Sequence, residues 1–201
     1  MIAIIDYGAG NIKSLQSALT KLDIASCLTT DEQTIRASKA IILPGVGAFK
    51  DAMDALDELG LAALLRKEAA VGKPILGICL GMQLLYDESF EDGDWEGLGI
   101  LKGSVNRITG NVKVPHMGWN TLSHHRTHPI LMDIAEQSYV YFVHSYYIDG
   151  NLADELLSSC DYGVKIPAIV QKDNIYGIQF HPERSGATGL NLLKNFGELI
   201  T

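Results

Sequence analysis

Residues 75–81 read Ile75-Leu76-Gly77-Ile78-Cys79-Leu80-Gly81. A short apolar run introduced by Gly72-Lys73-Pro74 predicts a buried strand, and residues 82–86 continue as a helical run, so Cys79 falls on a sharp strand-to-helix turn. That setting is a nucleophile elbow with sulfur in place of oxygen. Gly77 and Gly81 remove side chains that would collide in so tight a turn, and the amides opening the helix point toward the sulfur and favour the thiolate. The competing reading is a buried structural cysteine; it is the one that stands for Cys27 and Cys160, which lack such a context.

On the N-terminal side of this turn the chain alternates strand and helix. Residues 2–5 predict a strand, Gly8-Ala9-Gly10-Asn11 a turn, and Ile12, Leu15, Leu19 and Leu22 one face of a helix. Strands are predicted at 24–28 and 40–43, and a helix over 51–71 that breaks near Gly60. Such βα rhythm builds a parallel sheet. From about residue 98 the texture turns antiparallel, with strands at 139–148, 156–162, 168–171 and 175–180, the last two hinged at Lys172-Asp173-Asn174. Leu190, Leu193, Phe196 and Ile200 mark a C-terminal helix. The expectation is an α/β fold in one domain spanning residues 1–201: an open, mostly parallel mixed sheet flanked by helices, with added antiparallel strands in the second half. Ligands of such sheets sit beyond the carboxyl ends of the strands.

Composition narrows the function. The chain of 201 residues is 47% apolar and 20% charged, which is globular rather than disordered, and its 20 Gly and 6 Pro are too scattered for a fibrous chain. Sixteen basic against 24 acidic residues leave a net charge of −8 without a Lys/Arg run, so no nucleic-acid partner is expected. The N-terminus has no positive leader, and no apolar stretch approaches the roughly 18 residues of a membrane span. A cytoplasmic protein without a membrane partner is expected, its three cysteines reduced.

A thiolate needs a base to exchange protons with it and a third group to orient that base. Phe180-His181-Pro182-Glu183 supplies both: His181 is expected to end a strand, and Pro182 to keep the backbone extended so that the side chains of 181 and 183 project together. By itself His-x-Glu is equally a surface pair; the elbow turns the reading toward catalysis. For the developing oxyanion, the N–H of Leu80 is one donor, and Pro44-Gly45-Val46-Gly47 offers a second near Val46 or Gly47, unless that loop is a plain turn.

With GICLGMQ at 77–83 and FHPE at 180–183, the chain resembles the class I, triad-type glutamine amidotransferases, a flavodoxin-like family. IAIIDYGAGN (2–11), LPGVGAF (43–49), PHMGWN (115–120), FVHSYY (142–147) and QFHPERSG (179–186) spread the resemblance along nearly the whole chain. They point to members that serve a (β/α)8-barrel cyclase subunit in histidine biosynthesis. The resemblance implies hydrolysis of L-glutamine to glutamate and ammonia through a cysteinyl thioester on Cys79, with His181 and Glu183 completing the triad and no cofactor or metal. It further implies that Gly47, Gln83, Glu91 and the Ser145-Tyr146 backbone hold glutamine, Glu91 meeting its α-ammonium. Asn11, Trp119, Asn120, Tyr141 and Arg184 would face the cyclase, the arginine standing where the family has Lys or Arg.

Four other readings compete. Gly8-x-Gly10 with Asp31 imitates a dinucleotide-binding start, but position 13 is Lys where glycine should stand. His116, His124, His125 and His128 suggest a metal site without a recognised ligand spacing, and a solvated polar loop is expected instead. A stand-alone cysteine hydrolase or peptidase would be fully active without a partner. In a binding module with an incidental thiol, Cys79 would react no faster than Cys27 or Cys160. Trp119, beside Met117, suits an interface anchor as well as it suits a core.

Overall fold

The computed structural model describes residues 1–8 and 12–200. The first half runs β1 (Ile2–Ile5), α1 (Ile12–Lys21), β2 (Ser26–Thr29), α2 (Glu32–Ala37), β3 (Ala40–Gly45), α3 (Phe49–Glu58), α4 (Leu61–Ala70), β4 (Ile75–Cys79) and α5 (Leu80–Leu84). The strands are short and apolar on both sides: Ile2 and Ile4 face one core with Leu15 and Leu19 of α1, while Ala3 and Ile5 face another with Phe49 and Leu56 of α3. Burial on both faces is what a parallel sheet between helix layers demands of its strands. The break foreseen near Gly60 separates α3 from α4, with Gly60 at φ 69°, a conformation glycine adopts without steric cost. The second strand begins two residues later than expected, because the Ile24 N–H bonds back to Leu19 O and finishes α1.

The second half adds β5 (Glu88–Ser89), β6 (Trp95–Glu96), β7 (Ser104–Arg107), β8 (His116–Thr121), β9 (Ser123–His124), β10 (Tyr139–His144), β11 (Tyr146–Asp149), β12 (Leu156–Tyr162), β13 (Val164–Lys172), β14 (Ile175–Ile178) and α6 (Gly186–Leu199). The main sheet has the order β2-β1-β3-β4-β14-β13-β12-β9, parallel from β2 to β14 and antiparallel beyond. Two smaller sheets, β10-β8 and β11-β7-β5-β6, stand apart from it. The strand expected over 139–148 is therefore two strands: Tyr139 to His144 pair with β8, Tyr146 to Asp149 with β7, and the Ser145 carbonyl between them accepts from the Ile108 N–H. Alternation of apolar residues runs through such a change of partner and cannot mark it.

α5 starts at once after β4 rather than at residue 82, and it lies hard against β3. A Cβ on Gly81 would stand 1.8 Å from the Leu43 carbonyl oxygen, and one on Gly77 2.7 Å from the Met82 backbone N. Gly81→Ala is thus expected to cost about 3 kcal/mol or more, lowering the melting temperature on the order of 10 °C. An unchanged melting curve would mean that α5 can retreat from β3 freely.

Candidate active site

Cys79 closes β4 at φ 55° and ψ −113°, a left-handed conformation for a residue with a side chain. Such strain costs about 1–3 kcal/mol and survives only where the surroundings dictate it, here the abrupt turn from β4 into α5. Its sulfur lies 3.9 Å from the Val143 carbonyl oxygen and receives the Gln179 Nε2–H at 3.8 Å.

His181 sits three residues past β14 rather than ending it; its backbone is extended, as expected of the residue before Pro182 (φ −97°, ψ 99°), and residues Pro182–Arg184 then form a 3₁₀ turn. Proline's fixed φ suits the first position of such a turn as well as a strand, so its presence alone did not decide between them. The two side chains meet all the same: His181 Nδ1 donates to Glu183 Oε1 at 2.8 Å, with both groups buried. The carboxylate can only accept, so Nδ1 carries hydrogen and Nε2, without a hydrogen-bond partner of its own, is left for the neighbouring Cys79. Burial pushes the imidazole pKa down, but the Cys79 sulfur and the Glu183 carboxylate outweigh it and hold it up at about 10. The arrangement can therefore keep the His181 imidazole protonated at neutral pH, between the Cys79 sulfur and the Glu183 side chain.

A cavity of about 330 Å³ opens at the carboxyl ends of β3 and β4 and is lined by Val46, Gly47, Cys79, Leu80, Gln83, Glu91, Pro115, Val143, His144, Ser145 and Tyr146. All seven candidate oxyanion and glutamine residues thus meet beside the thiol. Gly47 adopts φ 103°, in the left-handed region open to glycine. Glu91 Oε2 accepts the Phe49 N–H at 2.6 Å, capping the start of α3, and burial raises its pKa against that bond. Gln83 spends both amide hydrogens inside the protein, on Tyr146 O at 2.9 Å and Gln179 Oε1 at 3.0 Å. The Ser145 and Tyr146 carbonyls are likewise taken by internal donors.

Several site residues escaped the sequence reading. Gln179, within the quoted QFHPERSG, touches the sulfur; the signal available was its place two residues before His181. Tyr7 donates to Pro44 O at 2.7 Å and so pins the loop before Val46; burial, and then the Cys79 charge, raise its pKa and keep the hydroxyl protonated. His144 lines the cavity and stacks its hydrogen bonds with His116, Nε2 to Nδ1 at 3.0 Å, and burial pushes both down to about 4.

Of the histidines expected in a solvated polar loop, His125 and His128 do lie in the loop after β9, with His125 exposed, whereas His116 is buried and His124 stands in β9. His116 is packed between the Phe142 and Tyr162 rings, His124 and His125 bond to Ser158 and Ser159 of β12, and His128 Nδ1 caps the Ile130 N–H. β9 brings His124 into the main sheet, where its ring must find partners. A hollow of about 630 Å³ lined by His124, His125 and His128 contains none of the candidate triad, oxyanion or glutamine residues. Among the described residues no group of three His, Cys, Asp or Glu side chains could hold a metal ion, and no helix is long and apolar enough to cross a membrane.

Of the residues expected at a partner surface, Trp119 is 55% exposed and lies in the register pair Trp119–Tyr141, the rings edge to face at 6.0 Å. Arg184 covers the Tyr141 ring at 4.4 Å, and Met117 and Tyr139 extend the same exposed patch. Asn120 points inward, its amide bonded to Asp161 O and His116 Nε2. Asn11 lies outside the described residues.

The fold recurs in known proteins. The family model described as glutamine amidotransferase class-I matches residues 3–199. The chain is 60% identical to the imidazole glycerol phosphate synthase subunit HisH of Oceanobacillus iheyensis, covering 100% of both chains. It is 50% identical to the HisH subunit of Caldanaerobacter subterraneus subsp. tengcongensis, over 100% of this chain and 98% of that one. A crystal structure of a glutamine amidotransferase superposes with a TM-score of 0.78 at 21% identity, covering 99% of this chain and 98% of the other. PurLQS from Thermotoga maritima does so at 0.73 and 20% identity, covering 100% and 98%. By the match over residues 3–199 and these full-length relatives, the chain belongs to the class-I glutamine amidotransferases.

Proposed function

We propose that the chain is the glutaminase subunit of an imidazole glycerol phosphate synthase, hydrolysing L-glutamine and passing ammonia to a (β/α)8-barrel cyclase subunit in histidine biosynthesis. The observation that carries this reading is the buried His181–Glu183 pair beside Cys79 on the wall of a 330 Å³ cavity, together with 60% identity to a HisH subunit.

In the first half-reaction the Cys79 sulfur attacks the side-chain amide carbon of glutamine, while its proton resides on His181. The amide oxygen gains negative charge and is met by the Leu80 N–H and by an N–H of the Val46–Gly47 loop. His181 then gives its proton to the departing nitrogen, the C–N bond breaks, and ammonia leaves a glutamyl thioester on Cys79. In the second half His181 takes a proton from water, hydroxide adds to the thioester carbon, and the C–S bond breaks to release glutamate. Glu183 steadies the imidazolium in both halves. Glu91, half-buried in the cavity wall, meets the α-ammonium, and Gly47, Gln83 and the Ser145–Tyr146 backbone hold the rest of the substrate.

The exposed patch of Met117, Trp119, Tyr139, Tyr141 and Arg184 is the surface we assign to the cyclase. Large aromatic and arginine side chains are the residues that anchor interfaces. The test is glutamate release from L-glutamine by the purified chain, alone and titrated with the barrel subunit. Saturable activation by the barrel supports the reading; full activity without it favours a stand-alone hydrolase. Trp119→Ala is expected to weaken half-saturation by the barrel about 30-fold, the effect of losing one anchor. Its melting temperature should stay nearly unchanged, since the ring is 55% exposed in this chain. A large fall in melting temperature would place Trp119 in the core.

A further inference from the structure

Gln179 is fully buried, 0% exposed, and takes no part in the triad. Its position follows from strand register: β14 and β4 are parallel neighbours with Ile178 level with Ile78, so the next residues, Gln179 and Cys79, emerge side by side. A leucine would fill the same space without the cost of burying an amide, which is repaid only if both ends of that amide find partners.

Which end faces the sulfur can be deduced. The Tyr146 carbonyl only accepts, and both Gln83 Nε2 at 2.9 Å and His144 Nδ1 at 2.8 Å donate to it. The second hydrogen of Gln83 Nε2 points to Gln179 at 3.0 Å, so the facing atom there is Oε1 and the opposite end, Nε2–H, is directed at Cys79 Sγ at 3.8 Å. A second branch converges on the same Tyr146 carbonyl oxygen. His144 Nε2 accepts from His116 Nδ1–H at 3.0 Å, and His116 Nε2 accepts from Asn120 Nδ2 at 3.3 Å, whose other hydrogen goes to Asp161 O at 3.1 Å. Turning Gln83 over would set its Oε1 against the Tyr146 carbonyl, and turning Gln179 over would set its NH₂ against that of Gln83.

We propose that Gln179 is a hydrogen-bond donor to the Cys79 thiolate, aimed at the sulfur by Gln83, whose own amide is oriented by the Tyr146 carbonyl. In the thiol, the S–H faces the Val143 carbonyl at 3.9 Å. When the proton moves to His181, that carbonyl confronts a negative sulfur, and Gln179 Nε2–H joins the His181 imidazolium in offering it a favourable contact. It stabilises the charge until the sulfur's electron pair forms the bond to the amide carbon and the charge passes to the amide oxygen.

This inference rests on the reading of Cys79 as nucleophile. The experiment is alkylation of the full chain by iodoacetamide, with the rates at Cys79 and Cys27 followed separately by peptide mass spectrometry. Gln179→Met removes the donor and is expected to slow Cys79 about ten-fold while leaving Cys27 unchanged, the loss of one hydrogen bond to a charged group. With the barrel present, the same variant should lower kcat for glutamine with little change in KM. Gln179→Glu keeps the shape and can still accept from Gln83; protonated it donates to the sulfur, ionised it repels it. Its Cys79 rate relative to the unsubstituted chain is expected to fall at least ten-fold between pH 6 and pH 9. If Gln179→Met fails to fold, the Gln179→Glu comparison decides alone. Wild-type rates in the folded Met variant, or a pH-independent ratio in the Glu variant, overturn the proposal. If the unsubstituted chain reacts no faster at Cys79 than at Cys27, the nucleophile reading itself falls; preferential reaction at Cys79 at an undiminished rate in both variants sinks the role of Gln179 alone.

Discussion

Cys79→Ser, assayed as glutamate release in the presence of the barrel subunit, is expected to lose about 10⁵-fold or more in kcat, the scale of removing a nucleophile from a triad that works as a unit. The substitution changes one atom, and serine is the residue that commonly occupies such an elbow, so the turn at φ 55° and the packing of α5 on β3 should survive. What is lost is the ready formation of an anion: a hydroxyl gives up its proton far less readily than a thiol, and the buried His181–Glu183 pair is arranged beside sulfur. The variant should melt within a few degrees of the unsubstituted chain. Retention of more than about 1% of the activity would rule out covalent catalysis by Cys79.

Glu183→Gln should leave the backbone of the Pro182–Arg184 turn in place and still reduce kcat by about 10³–10⁴-fold. A neutral amide no longer steadies the imidazolium, and if it turns its NH₂ toward Nδ1 it imposes the wrong tautomer on His181. The same change has a stability signature. His181 titrates at about 10 in the folded chain against about 6.5 unfolded, so its ionic contribution is complete below pH ~6.5 and disappears as pH rises through about 10. Glu183 is one of the groups holding it up, after the Cys79 sulfur. The melting temperature of the variant should therefore fall furthest below the unsubstituted chain near pH 6, and the gap should close near pH 10. A gap that is constant across this range would mean that Glu183 does not stabilise the charged imidazole.

The local features of the site were open to the sequence because their causes lie within a few residues. Gly77 and Gly81 bracket Cys79 since a Cβ at either would strike backbone within 2.7 Å, and that steric demand is legible in the string itself. The βα rhythm, the break at Gly60 and the apolar face of α6 are periodic signals of the same kind. The pairing of His181 with Glu183 was anticipated from the extended backbone that Pro182 imposes on His181, which is realised; the 3₁₀ turn that carries Glu183 was not anticipated.

What the tertiary structure decided are contacts whose partners lie far apart along the chain. Gln179 meets Cys79 across 100 positions because β14 inserts beside β4 in parallel register. Glu91 reaches back 42 positions to the Phe49 N–H, and Tyr7 reaches 37 to Pro44, each setting the edge of the cavity. His116, expected in a polar loop, and His144 become a buried, neutral pair because β8 and β10 align them, while Trp119 on the opposite face of that ribbon stays exposed. A residue's own neighbours set its local geometry and period, and so the elbow, the strands and the helices; strand order and register choose which distant polar group completes its hydrogen bonds, and no short window of the chain contains that choice.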